Sequence, residues 1–342
     1  MLVLSHNDLL KAGCFNVPMA LSVVEDAFVK YSRGDILFPD KVSQILCQET
    51  QERINCLPAT VFSEKVCGMK WVAVFPPNPI KHHLPNLNAT ILLSEIETGY
   101  PIAVMDGTLC SDLRTASISA VAAKFLARKN SQTIGFIGAG EQAKMHLLTM
   151  KHILPSLRVC KVASRRKESE ERFIHQMAEL LPDMEFIACD SEYEKAASES
   201  DIVITAISAQ LPLLQSEWLG DGVFYCHVGG WEDDYSVPLS VDKIVTDDWH
   251  SVKHRTQTIS RLYQMGKLKD EDIYADLYEI VVGKKAGRTS EKEKIYFNGV
   301  GLSYVDIALA YRFYEKAKEQ NCISLETFKG SVFNEVKKYA IL

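Results

Sequence analysis

The strongest constraint on this chain is an apolar strand that runs into glycines and straight on into a helix: Thr133-Ile134-Gly135-Phe136-Ile137-Gly138-Ala139-Gly140-Glu141-Gln142-Ala143. Such a segment closes a strand-turn-helix unit and places the chain among α/β folds. Gly138 and Gly140 permit the tight turn and close backbone approach that a pyrophosphate needs, and Ala143 lets the helix lie near the sheet. The first N–H groups of that helix, around Glu141 and Gln142, would face the phosphates. A Gly-x-Gly-x-x-Ala turn is weak on its own, because a turn with no ligand reads the same way.

The residues beyond the turn continue the pattern. A helix over about 141–154 leads to a buried strand at Arg158–Ser164, carried by Val159, Val162 and Ala163. A polar helix with Phe173, Ile174, Met177, Leu180 and Leu181 follows, then strands at Glu185–Cys189, Asp201–Ile207 and Gly222–Val228, the last ending in Gly229-Gly230. Apolar strands alternating with amphipathic helices predict a parallel sheet covered on both faces, a Rossmann-type domain.

The end of the second strand bears on which dinucleotide fits. An acidic residue there binds ribose hydroxyls in NAD sites, whereas an arginine accommodates the 2′-phosphate of NADP. This chain has Ser164-Arg165-Arg166, a hydroxyl and two guanidiniums suited to bidentate phosphate contacts, so NADP is expected, with NAD the alternative. The plainer reading makes both arginines a solvated helix start partnered by Glu168, Glu170 and Glu171.

A chain of 342 residues with 47% apolar content exceeds one compact core, so two domains are expected. Net charge −6 and the lack of a basic stripe exclude nucleic acid as an expected partner; Lys284-Lys285 and Lys337-Lys338 read as solvated faces. The nine cysteines are scattered without a Cys-x-x-Cys pair, as for reduced thiols, and no metal site is expected. The start Met1-Leu2-Val3-Leu4-Ser5 has no basic segment before a long apolar run, so the cytoplasm is the expected compartment, with no membrane association.

Ahead of the glycine turn the texture differs. Val17, Leu21, Val24, Ala27, Phe28 and Tyr31 predict a helix over 17–33, and the residues on to about 105 read as short strands and turns around the loop Pro76-Pro77-Asn78-Pro79. Ile102–Met105 reads as a strand, Asp112–Arg128 as an alanine-rich linking helix, and about 304–340 as helix returning to the first domain.

Ordered blocks on both sides of the turn resemble the ornithine cyclodeaminase/mu-crystallin family over nearly the whole chain. They are Thr98-Gly99-Tyr100-Pro101-Ile102-Ala103-Val104-Met105-Asp106-Gly107, Leu113-Arg114-Thr115-Ala116, and Ala122-Ala123-Lys124-Phe125-Leu126-Ala127-Arg128. Glu279–Arg288, then Gly299-Val300-Gly301 with Val305-Asp306-Ile307-Ala308, extend the likeness. The resemblance implies an α/β protein: a Rossmann-type domain over 114–305, and a smaller α+β substrate-binding and dimerisation domain from 1–113 and 306–342, with a homodimer joined through its sheets. It implies Thr115, Gly138, Gly140, Glu141, Gln142, Ser164, Arg165, Arg166, Ala206, Ser208, Val228, Gly229 and Ser303 as cofactor contacts.

Members act on amino or imino acids, so a cationic clamp is implied for the substrate carboxylate. Lys41, Lys70 and Arg114 match its positions; Lys70 and Arg114 are the expected catalytic pair, with Lys70 exchanging a proton. Lys70 as an edge-strand lysine and Lys41 as a surface residue are the plainer readings. Asn86 either bonds the substrate amine or caps a turn. Cys56, Leu57, Met69, Val74 and Phe75 are candidates to shape the pocket.

One departure sharpens the expected reaction. Cyclodeaminases carry an aspartate directly after the glycine pair, where this chain has Trp231 followed by Glu232, Asp233 and Asp234. Trp231 cannot carry a proton. Cyclisation would need a later carboxylate to swing in, whereas imine reduction or amine oxidation needs hydride transfer, a clamp and one proton donor. The expected function is an NAD(P)-dependent oxidoreductase on the C–N bond of an amino or imino acid; alternatives are a cyclodeaminase-type lyase and an NADPH-dependent binding protein of mu-crystallin type. Relatives that split N-substituted amino acids share a segment similar to Asp247-Asp248-Trp249 through Lys253-His254-Arg255-Thr256, which lines the cleft or begins a solvated helix.

Overall fold

The computed structural model describes residues 1–207, 210–320 and 322–325. Two large sheets organise it. The first is eight-stranded and mostly antiparallel, running spatially Ile323–Ser324, Leu2–Leu4, Pro101–Asp106, Leu87–Glu95, Val66–Val74, Glu52–Val61 and Ile36–Leu37, with Val42–Cys47 also pairing on Glu52–Val61. The second is eight-stranded and parallel, in the order Glu185–Ala188, Val159–Ala163, Thr133–Ile137, Ile202–Thr205, Phe224–His227, Ile295–Asn298, Lys243–Thr246 and Ala275–Asp276.

The parallel sheet is wound outward in both directions from Thr133–Ile137. Its successor in sequence lies on one side and Ile202–Thr205 on the other, so the order reverses where the glycine turn emerges. That switch point is where open α/β sheets leave a crevice at the carboxyl ends of their strands. Ile295–Asn298, Lys243–Thr246 and Ala275–Asp276 complete the sheet beyond the strands legible in sequence, the last of which ends at Val228.

Three expectations for the flanking segments change. The strands before residue 105 are long: Glu52–Val61 has 10 residues, and Val66–Val74 and Leu87–Glu95 have 9 each. Pro58 and Gly68 interrupt the apolar alternation that would mark them, yet pairing on both sides holds Val66–Val74 in place. The helix beginning at Ser303 ends at Ala317, and Ile323–Ser324 forms an edge strand on Leu2–Leu4 rather than helix. Residues 326–340 of the expected helix lie outside the described residues.

The linking helix, Thr108–Leu126, carries the expected domain boundary at 113/114 in its interior. Its alanines and serines are buried all round, which lets it pack between Val17–Ser32 and Glu141–Ile153. Helix Ser303–Ala317 packs on Glu52–Val61 and Val66–Val74 as well as on Val17–Ser32. These two helices bring residues of both sheets to one cleft. No helix of the described residues is long and apolar enough to cross a membrane.

Candidate active site

Strand alternation decides which residues reach the cleft. Leu57 opposes Lys70 across the unbroken register of Glu52–Val61 and Val66–Val74, so Lys70, Val72 and Val74 share a face with Leu57. That face carries helix Ser303–Ala317: a Cβ on Gly68, two residues before Lys70, would meet the Ile307 side chain at 2.9 Å. Cys56 and Met69 occupy the opposite face, their sulfurs 3.7 Å apart, so neither lines this cleft.

Lys70 is 1% exposed and donates to Asp306 Oδ1 at 2.8 Å and to Ser111 Oγ at 3.3 Å. Arg114, 7% exposed, sends Nε to the same Oδ1 at 2.8 Å. One carboxylate thus anchors both cations. Among the described residues no acceptor engages either terminal nitrogen of Arg114, which leaves the fork open for a carboxylate. An ammonium has three donors and Lys70 spends two, so one remains. Burial, and then the Arg114 charge, pull the Lys70 pKa down to about 8 against the pull of Asp306. Sequence reasoning quoted Asp306 within a motif but gave it no role; an aspartate on the buried side of an apolar helix was the available signal.

The glycine turn has the shape a pyrophosphate requires. Gly138 has φ +116°, and a Cβ there would lie 2.5 Å from the Ala206 carbonyl oxygen, so only glycine fits. A Cβ on Gly140 would meet nothing within 4 Å, leaving open space before the helix Glu141–Ile153. No side chain caps that helix, so its first N–H groups stay available. Gln142 donates Nε2 to the half-buried Asp112 at 2.7 Å, Glu141 pairs with Lys144, and Ala206 N bonds Ile137 O at 3.0 Å.

A narrow cavity lies beside the clamp, lined by Arg114, Thr115, Val228, Asp247, Gly299 and Gly301 among others. Gly229 follows Val228, and its N–H donates to Glu232 at 2.8 Å. Ser303 is buried, its hydroxyl donating to Pro58 O at 2.6 Å. Ser208 lies outside the described residues. At the end of Val159–Ala163, Ser164 is buried and its hydroxyl bonds Arg166 O at 2.8 Å, while Arg165 and Arg166 are exposed. Among the described residues neither guanidinium has a carboxylate partner, and Glu170 instead accepts the N–H groups of Ser164, Asp190 and Ser191.

The acids after Trp231 are held locally. Glu232 accepts from Thr205 at 2.7 Å, Ile207 N at 2.6 Å and Gly229 N at 2.8 Å. Asp233 accepts from Thr258 and lies 2.9 Å from His227 Nδ1, and Asp234 accepts from Ser236 N at 2.8 Å. Trp231 stacks on Tyr235 at 5.8 Å and under Arg261 at 4.6 Å. Moving the buried Glu232 or Asp233 would orphan their donors, whereas Asp234 is half-exposed.

Burial, then the charges of Arg255 and Arg53, drop the Lys41 pKa to about 7. Leu87 opposes Val74 and Ile91 opposes Lys70, so Asn86 is five residues, about 17 Å, along the sheet from Lys70, at the end where Arg53 stands opposite Val74. Its backbone carbonyl accepts from Phe75 N at 2.7 Å. The 247–256 segment divides. Asp248 caps helix Trp249–Val252, whereas Asp247 is buried and accepts from Val300 N and Gly301 N at 2.9 and 2.8 Å, with burial raising its pKa to about 7.

A parallel sheet with an open glycine turn at its switch point, a buried lysine on a second sheet and a buried arginine on the linking helix together define a dinucleotide-binding α/β protein. Residues 12–321 match the ornithine cyclodeaminase/mu-crystallin family, and the chain belongs to it. It is 30% identical over 327 residues to N-((2S)-2-amino-2-carboxyethyl)-L-glutamate dehydrogenase of Staphylococcus aureus, covering 94% of this chain and 96% of that protein. It is 32% identical to alanine dehydrogenase of Archaeoglobus fulgidus, covering 88% and 91%. The structure of Thermococcus litoralis Delta(1)-pyrroline-2-carboxylate reductase with NADH and L-proline superposes with TM-score 0.89 at 30% identity, over 94% of this chain and 99% of that one.

Proposed function

We propose that this chain is an NAD(P)-dependent oxidoreductase acting on the C–N bond of an amino or imino acid. The observation that carries the reading is the shared anchoring of Lys70 and Arg114 on Asp306, beside a cavity that runs to Val228 and Thr115. Arg114 holds the substrate carboxylate through its open fork. Lys70 Nζ gives a proton to the amine nitrogen in reduction and takes it in oxidation. The bound nicotinamide supplies or accepts hydride. The glycine turn and the helix from Glu141 hold the phosphates.

Turnover separates this reading from its alternatives. A ketimine acid with reduced cofactor, or an N-substituted amino acid with oxidised cofactor, should change nicotinamide absorbance, while ornithine should release neither proline nor ammonia. Trp231 and the three engaged acids motivate the second expectation. Catalytic proline formation would move the chain to the cyclodeaminases. Cofactor binding without turnover across the panel would make it a binding protein, for which a proton-donating lysine is superfluous.

Lys70 also sets a pH dependence. Its pKa near 8 means the ammonium dominates at pH 7 and is lost as pH rises. Imine reduction should therefore fall through about pH 8 and amine oxidation rise through it. Lys70→Met should abolish that limb in kcat/KM; an unchanged profile in the variant would assign the proton to another group.

For the cofactor, the free guanidiniums of Arg165 and Arg166 and the missing acid support NADP(H) over NAD(H). Arg165→Ala should weaken NADPH binding by roughly 1–3 kcal/mol and leave NADH nearly unaffected, since only the 2′-phosphate contact goes. A wild-type preference for NADH of about tenfold or more, near 1.4 kcal/mol, would overturn the assignment. We assign 1–113 and 306–342 to the substrate and dimerisation domain, and 114–305 to nucleotide binding. A cytoplasmic homodimer joined through the sheet face bearing Met69 and the exposed Trp71 fits this division, and an archaeal alanine dehydrogenase 31% identical, with TM-score 0.87, is a dimer with bound NAD.

A further inference from the structure

The clamp accounts for Lys70 and Arg114 but leaves three cations over. Arg53 shares the cleft face with Lys70, because it stands four residues from Leu57, the residue opposite Lys70. That offset is about 13 Å along the strand. Between the two ends the same face carries the buried Leu57, Val72 and Ala89, with Val74 and Leu87 packed against them, and one buried polar residue, Asn55 opposite Val72, whose Oδ1 has no hydrogen-bond partner among the described residues. Arg255 arrives from the 247–256 segment, whose His250 lies 3.9 Å from Asp40, the residue before Lys41.

The charges of Arg53, Arg114 and Lys41 all bear on Arg255 or are felt beside it. Among the described residues no carboxylate comes within ion-pair distance of Lys41, Arg53 or Arg255. Arg53 Nη1 donates to the Gln51 carbonyl at 2.8 Å and Arg255 Nε to the Ser251 carbonyl at 3.3 Å, and neither acceptor carries charge. The acids facing Arg255 are Asp247 and Asp248, both occupied by backbone N–H groups. A half-buried cluster of like charges is costly until an anion joins it. Asp247 and Asp248 offset part of the charge at Arg255, but with one substrate carboxylate on Arg114 no carboxylate forms an ion pair with the cluster among the described residues.

We propose that Arg53 and Arg255, with Lys41 near them, hold a second carboxylate, so that the substrate is an amino or imino acid carrying a further carboxylate at the far end of its side chain. This rests on the reading of Arg114 as the α-carboxylate clamp. The two guanidiniums set specificity by distance: a monocarboxylic acid fills one end and leaves the other cations without an anion.

Calorimetric titration of the cofactor-loaded enzyme tests this without requiring turnover. The probes are 2-oxoglutarate, 2-oxoadipate and 2-oxopimelate, each against the monocarboxylic 2-oxo acid of equal chain length. At one length or more the dicarboxylate should bind at least about tenfold tighter. That ratio should fall toward one in Arg53→Gln and Arg255→Gln and recover in part in Arg255→Lys. If no dicarboxylate exceeds its counterpart, or the ratio survives both glutamine variants, the second site is overturned. Discrimination in binding without cofactor turnover on any imine supports the site and sinks the oxidoreductase reading. Turnover of monocarboxylic imines without discrimination does the reverse.

Discussion

Arg114→Ala is expected to lower kcat/KM for the amino or imino acid by roughly 200- to 5,000-fold, the equivalent of about 3–5 kcal/mol for a buried charge-assisted pair. The size follows from geometry. Nε is taken by Asp306, while Arg114 lines the cavity and its two terminal nitrogens have no protein acceptor among the described residues. The fork thus meets substrate with its donors already aimed, at little ordering cost. Arg114→Lys should recover only part of the loss, since an ammonium offers one point contact for two parallel ones. The guanidinium also packs against Gly301, so cofactor affinity is the check that the cleft survives the change. Unaltered kcat/KM in Arg114→Ala, with cofactor binding intact, would remove this residue from the substrate site.

Asp306→Ala should be the most destabilising single change in the cleft, costing about 3–5 kcal/mol of unfolding free energy. Lys70 and Arg114 both rest on one oxygen of a fully buried carboxylate, and its removal leaves two buried cations facing each other. The protein then unfolds earlier, or Lys70 sheds its proton to relieve the repulsion. Denaturant unfolding measures the first response. The second appears as a pH limb for imine reduction displaced below the wild-type value near 8. Asp306→Asn keeps the shape and an acceptor oxygen and separates loss of charge from loss of packing. A cost under about 1 kcal/mol in Asp306→Ala, with the limb unmoved, would show the pair to be self-sufficient.

The parts of the fold that were legible in sequence are those whose signal is local. The turn at Gly138 and Gly140, the strand at Val159–Ala163 and the helices beginning at Val17 and Glu141 announce themselves through periodicity and backbone chemistry within a few residues. The strands around Pro58 and Gly68 did not, because their length is imposed by pairing on both sides. The end of the last described helix at Ala317, before the edge strand Ile323–Ser324, is likewise set by an edge of the sheet some 300 residues away in sequence.

The candidate site divides on the same line. Sequence by itself determined that the chain carries a dinucleotide turn, a lysine and an arginine in clamp motifs, and a tryptophan where related cyclodeaminases place an aspartate. Each is a matter of residue type at a fixed offset. Only the tertiary structure decided that Asp306 joins Lys70 to Arg114, that Glu232 and Asp233 are locked into buried networks, and that the charges of Arg53 and Arg255 are felt at Lys41. These are contacts across as many as 236 residues of chain, as between Lys70 and Asp306. No local pattern encodes such a distance. It follows from how two sheets and two long helices close on one cleft, where burial turns the partnership of each charge into a large energy.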